Sequence, residues 1–276
     1  MHCTVRYPQA RSLPPVGATG AVRVIHMIAA GVLAVSALVA GPLAQSTPPA
    51  DATPADVAID AFGEAMEAAG FETSGTTNAE NLATDEVFQP CLGTIDEILL
   101  ADPTDPDDPA TNEFGLTAVV VSDEFELVGP DGATTDPVEP TGEEFAFAVA
   151  WTVDDDHVGE LEDAAQYFGT QEAEDCVSDA LTASMVDSFP EGSVPDPLPF
   201  TIDVSATDLE VGDHSSSLGL DLEVIEDGDA TLITFEVAQA GNVGVLVVRG
   251  AFNNANPDVV PTDGGNALEA MVDAVS

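Results

Sequence analysis

Lysine is absent from the 276-residue chain, and only four arginines stand against 51 Asp and Glu residues. Arg6, Arg11 and Arg23 precede the first acid, so beyond Ala44 the one remaining cation, Arg249, faces all 51 acids and leaves a net charge of −50. Such a field repels nucleic acid and anionic lipid, both of which are bound chiefly through Lys and Arg. No nucleic-acid partner is expected. Self-repulsion also opposes compaction, and salt relieves it, because the Debye length falls from ~10 Å at 0.1 M to ~3 Å at 1 M. The composition suits saline or cation-rich surroundings.

The common catalytic signatures are missing as well. The chain has no GxSxG, HExxH, CxxC or phosphate-binding glycine loop. Asp213, His214 and Ser215 supply the residue types of a triad, but a triad is assembled in space rather than from chain neighbours. His214 therefore reads as a turn residue between strands. His157 follows Asp154, Asp155 and Asp156, whose carboxylates favour its charged form, and it reads as a surface residue. Paired carboxylates can hydrolyse glycosides, yet among 51 acids a pair along the chain is uninformative. No catalytic residue is assigned.

Long apolar runs are confined to one place, residues 24 to 44, "VIHMIAAGVLAVSALVAGPLA". A basic stretch ahead of it and small residues near its end form the pattern of an export signal, with cleavage expected between Ala40 and Ala44. A retained transmembrane anchor needs ~20 strongly apolar residues; this run is barely that long and is interrupted by His26 and Pro42. No Cys lies at the boundary for lipid attachment. The expected organisation is a signal peptide over 1–44, a linker over 45–54 and an exported acidic domain over 55–276. Cysteine is equally scarce. Cys3 leaves with the signal, and Cys91 and Cys176 remain, an even count that in an exported chain reads as one disulfide. Closing a loop of about 85 residues stabilises by roughly 4 kcal/mol in the chain-entropy model. Two separate buried thiols are the alternative.

Apolar residues make up 45% of the chain and the mean hydropathy is slightly positive, which supplies a core despite the charge. Residues 53–70 read as a helix: Thr53 caps it, Pro54 suits its first turn, Gly70 stops it, and Ala58, Phe62, Met66 and Ala69 share a face. A short helix is expected around 91–101, ending before Asp102-Pro103 with Leu92, Ile95 and Leu99 inward. Strands follow at 116–121, in "EFELV", and at 144–153. In the last of these, Phe145, Phe147, Val149 and Trp151 alternate with Ala146, Ala148 and Ala150, so both faces of the strand are covered. Helices are expected over 155–169 and 170–186, then a Pro-rich spacer from Phe189 to Pro199. Strands at 200–206, 218–224, 231–239 and 243–252, with an Ala-Gly-Asn turn at 240–242, argue for antiparallel hairpins. A closing helix over 266–276 carries Leu268, Met271, Val272 and Val275 on one side. Together these elements predict an α+β single domain: an antiparallel β-sheet with helices packed on it.

Two features remain as candidate sites. The stretch "ADPTDPDDPATNEF", 101–114, holds five carboxylates and three prolines. A calcium loop of the EF-hand type needs alternating carboxylates, a Gly at the sixth position and a Glu at the twelfth; Asp105 and Asp107 alternate, but Pro106 intervenes and the Gly is missing. The prolines are expected to hold the loop extended and splay its acids. If a divalent cation such as calcium binds, Asp105, Asp107 and Asp108 are its ligands; otherwise the loop is solvated. The other feature is Arg249, which shares strand phase with Val245 and Val247 and reads as one half of an ion pair with an acid or as a clamp for an acidic ligand group.

The order of elements, with "FQPCLG", "LEDAAQYF", "EDCVSDAL" and "GNVGVLVVRG" in sequence, resembles actinobacterial secreted proteins and lipoproteins similar to the extracytoplasmic sensor domain of mycobacterial Ser/Thr kinases. The resemblance spans most of residues 53–276 and implies a non-catalytic, extracytoplasmic α+β domain. It carries over no site residue, and the family's second disulfide and membrane tether have no counterpart in these motifs. The expected function is thus a non-enzymatic exported protein that binds a ligand or partner at the cell surface. A secreted hydrolase using paired carboxylates, or a carrier of apolar small molecules, are the alternatives.

Overall fold

The computed structural model describes residues 52–76, 88–105, 107–127, 143–187, 189, 193–225, 229–252 and 267–276. The expected signal peptide, most of the 45–54 linker, nearly all of a second acidic loop at 129–144 and part of the Phe189–Pro199 spacer lie outside the described residues.

Helix α1, Pro54–Ala68, starts where its sequence dictates. The Thr53 hydroxyl accepts from the Asp56 amide at 3.2 Å while the Asp56 carboxylate accepts from the Thr53 amide at 2.7 Å, a reciprocal cap that satisfies two otherwise orphaned donors. Ala55, Ala58, Phe62 and Met66 line its buried stripe. Strand β1, Glu72–Thr76, follows, then a 3₁₀ turn at Gln89–Cys91, helix α2 at Ile95–Leu100 and a one-turn helix α3 at Pro109–Glu113. Next come β2, Leu116–Val121, β3, Asp123–Leu127, and β4, Glu143–Val153. Helices α4, Val158–Tyr167, and α5, Gln171–Asp187, separate these from the meander β5, Phe200–Asp208, β6, His214–Val224, β7, Asp229–Ala240, and β8, Val243–Phe252. Helix α6, Ala267–Val275, closes the chain.

The eight strands form one wholly antiparallel sheet in the order β1-β3-β4-β8-β7-β6-β5, with β2 also on β4. β2 and β3 run end to end along the same edge of β4. Val121 lies opposite Val149 but Phe125 opposite Ala146, so one extra residue is accommodated between them, a β-bulge. Ser122 repairs the ladder there: its amide donates to the Ala148 carbonyl at 2.9 Å and its hydroxyl accepts from the Ala148 amide at 2.8 Å.

The alternation of β4 sorts two cores. Phe145, Phe147, Val149 and Trp151 join Ile233, Phe235, Val237, Leu246 and Val248 under α2, α4, α5 and the 3₁₀ turn. Ala146, Ala148 and Ala150, with Val245 and Val247, lie under α1 and α6, and the small side chains of β4 let those helices approach. Where the two aromatics at the ends of this row cross to β8, they meet glycine: Trp151 is opposite Gly244 and Phe145 opposite Gly250. A Cβ at either glycine would collide with the facing ring. The β7–β8 hairpin closes over two residues, since Ala240 pairs Val243 and Gly241 takes φ +58°, as tight hairpins require. Both sheet faces and all described helices belong to this one α+β body.

Three expectations are corrected. The 101–114 stretch is not extended: Asp102 and Asp105 fold it into short turns, and Asp108 caps α3, because Asp side chains capture nearby backbone amides and Pro109 suits a first helical turn. His214 is the first residue of β6 rather than a turn residue, paired with Gln239 in the ladder. The helix expected over 155–169 begins only at Val158, with His157 at its N-cap.

Candidate functional site

Strands β7 and β8 bring together Arg249, the only Arg among the described residues, and one acid. Arg249 lies opposite Thr234 and Glu236 opposite Val247, so the two are diagonal neighbours, on the α1/α6 face where Val245 and Val247 also lie. Nη2 of Arg249 donates to Oε1 of Glu236. Arg249 is 9% exposed and Glu236 little more. Burial pushes the Glu236 carboxyl above its usual range and outweighs the lowering effect of the Arg249 charge and hydrogen bond. The second carboxylate oxygen, Oε2, is buried without a hydrogen-bond partner among the described residues. This arrangement holds β7 to β8 by charge as well as by ladder bonds.

A second buried acid, Glu124, carries no signal in the sequence, where a Glu in "EFELV" reads as solvent-facing. It is 1% exposed. Phe125 packs edge-on against Phe62 of α1, ring centroids 5.6 Å apart, so the neighbouring Glu124 projects to the opposite face, that of Phe145 and Phe147. Its Oε1 is buried with no partner among the described residues. Burial, and then the negative charge of Glu126, push its carboxyl up to about 7. No local signal marks it: on β3, Asp123 and Glu126 are exposed while Glu124 and Phe125 are buried.

Asp105, Asp107 and Asp108 do not meet as a ligand set. Asp105 accepts from the Asp107 amide at 2.9 Å, Asp108 accepts from Thr111 at 2.9 Å and from Asp102 at 3.4 Å, and these bonds lower the Asp108 carboxyl, that from Thr111 most. Among the described residues no three His, Cys, Asp or Glu side chains converge in a way that could hold a metal ion. The triad types are likewise dispersed. Asp213 accepts from the Gly241 amide at 2.8 Å, Ser215 accepts from Val211 at 3.1 Å, and His214 lies 3.0 Å from the Gln166 amide and 3.6 Å from Glu162. His157 contacts Asp154 at 2.6 Å; that hydrogen bond raises the imidazole and lowers the carboxyl.

Cys91, at the end of the 3₁₀ turn, and Cys176, within α5, form a disulfide with their Cα atoms 5.6 Å apart. It pins the turn that carries Phe88 and Leu92 to the helix that carries Val177 and Leu181, all in one core.

No family model matches the chain, and no curated protein does. Among solved structures it is similar to LpqN of Mycobacterium tuberculosis, described as involved in cell envelope biogenesis, with 12% identity, 55% of this chain and 81% of that chain covered, and a TM-score of 0.27. A likeness at that score carries no argument for this chain.

Proposed function

We propose that this chain is a non-enzymatic exported protein that binds a ligand or partner at the cell surface, in saline or cation-rich surroundings. The observation that carries the reading is the Cys91–Cys176 disulfide within a domain that follows a signal-like leader, since such bonds persist in oxidising, extracytoplasmic compartments. Among the described residues no helix is long and apolar enough to cross a membrane. Several groups an enzyme could use are engaged elsewhere: Arg249 with Glu236, His157 with Asp154, and Asp102, Asp105 and Asp108 with backbone amides. The charge of −50 beyond Ala44 favours screening salt and disfavours nucleic acid or anionic lipid as the partner.

One observation favours hydrolysis by paired carboxylates. Glu124 holds its proton near neutrality, as a general acid must, and Glu126 is two residues away on the same strand face. Burial of Glu124 keeps that carboxyl from a solvent-borne substrate, and binding is therefore the preferred function.

Native mass spectrometry of the protein recovered from outside an actinobacterial host tests the proposal. The expected species lacks the leader, is two hydrogens lighter for the disulfide, and carries a co-purified ligand or partner. Intact leader in the cytosol overturns export. A bare mature mass, with turnover of glycoside substrates that Glu124→Gln abolishes, overturns binding in favour of hydrolysis.

A further inference from the structure

The sheet edge formed by β1 and β3 is its least supported part. Among the described residues β1 has β3 as its only strand partner, with an irregular register between Thr73 and Gly75. β3 itself meets β4 through three register pairs, beyond the bulge at Ser122. Into this edge the chain places Glu124, 1% exposed, with Oε1 unpartnered among the described residues. A buried ionised carboxylate without a counter-charge is costly, and such a group neutralises or escapes to water.

Among the described residues the surroundings offer no counter-charge. On its own strand the neighbours are Asp123 and Glu126; on β1, Glu72 stands opposite Glu126; on β4, Glu144 stands opposite Leu127. Helix α1, reaching β3 through Phe62 on the other face, contributes only Asp56, Asp60, Glu64 and Glu67. Arg249 lies opposite Ala146, whose side chain also belongs to that other face, and is engaged by Glu236.

We propose that Glu124 is a proton-operated latch on this edge: protonated, it keeps the β1–β3 ribbon closed on the apolar face, and ionised, it releases that ribbon while β5 to β8 stay intact. The direction in which burial shifts the carboxyl agrees with the geometry. The carboxyl moves from an ordinary 4.5 to about 7 in the closed ribbon, so the closed form binds the proton more tightly than the open one. Closure is therefore strongest below 4.5, weakens as pH rises from 4.5 to 7, and changes little above. A difference of that size shifts the opening equilibrium by roughly 300-fold across the window.

Hydrogen exchange on the full, disulfide-closed chain at pH 5 and pH 8.5, corrected for intrinsic rates, reads this out. Protection in 72–76 and 123–127 is expected to fall on the order of 100-fold at the higher pH, while β7 keeps its own, and Glu124→Gln is expected to remove the dependence. Equal protection at both pH values, the same loss in the Gln variant, or a loss shared by β7 overturns the latch. If the Gln variant does not fold, carbon-13 titration of the wild-type Glu124 carboxyl decides: a midpoint near 7 supports the latch, and one near the ordinary 4.5 overturns it.

Discussion

Replacing Arg249 by Met leaves Glu236 in place among Val245, Val247 and the α1/α6 core with its charge uncompensated. Removing one partner of a buried ion pair costs about 3–5 kcal/mol. Part of that loss is recoverable, because Glu236 can protonate, and its carboxyl is already raised by burial with Arg249 present. Taking the counter-charge away raises it further. A raised carboxylate destabilises the fold as pH climbs through the interval between its unfolded and folded values, so the cost of Arg249→Met should be small at pH 4 and largest at pH 8. At 2–4 °C per kcal/mol for a domain of this size, the full loss corresponds to a fall in Tm of about 6–20 °C. Urea unfolding of four proteins, wild type, Arg249→Met, Glu236→Leu and the double variant, forms the cycle. The double variant should return to within about 1 kcal/mol of wild type, as apolar replacements of buried pairs do; with each single variant losing about 3–5 kcal/mol, the coupling is at least about 5 kcal/mol. A cost below about 1 kcal/mol for Arg249→Met, or a double variant as unstable as the two single losses added, would refute a structural pair and return Arg249 to the role of a ligand clamp.

Removing the disulfide by Cys91→Ser with Cys176→Ser should lower stability by about 4 kcal/mol, since the closed loop spans 85 residues; a urea midpoint unchanged from wild type contradicts that. Gly244→Ala places a methyl group inside the Trp151 ring and should cost at least 1–3 kcal/mol as overpacking, with a change in tryptophan fluorescence, whereas Gly241→Ala, which has open space around its Cβ but φ +58°, should cost about 1 kcal/mol through backbone strain alone. Equal losses at the two positions would sink the steric account. Calcium added at fixed ionic strength should leave Tm unchanged, because Asp105 and Asp108 already accept backbone amides; saturable stabilisation that Asp107→Asn removes would establish a cation site at Asp105, Asp107 and Asp108.

Legibility followed the strength of local chemistry. The Thr53 cap and the large/small alternation of β4 are written in nearby residues, and the structure uses both as expected, with Asp56 closing the cap reciprocally. The cysteine pair was legible from its even count. β1 was not, because "ETSGT" has no apolar alternation and earns its place only by pairing with β3. The bulge at Ser122 was also invisible: a hydroxyl standing in for a ladder carbonyl depends on where Ala148 lies, and that is a long-range fact. The same register places Glu124 indoors. The acidic 101–114 stretch was misread as extended because its prolines were weighed and its Asp side chains, which fold the backbone back on itself, were not. For Arg249, strand phase gave the face, but Glu236 as its partner depends on the β7–β8 register.

At the centre of the account is a claim about charge: two apolar layers on one antiparallel sheet hold together a chain of charge −50 beyond Ala44, with almost all of the described carboxylates outside. Thermal melting by circular dichroism in 0.1 M and 1 M sodium chloride tests it most directly. The account predicts a single cooperative transition at both concentrations, with a higher Tm in 1 M salt as the Debye length shrinks to ~3 Å. A broad, non-cooperative loss of signal at both concentrations would contradict it.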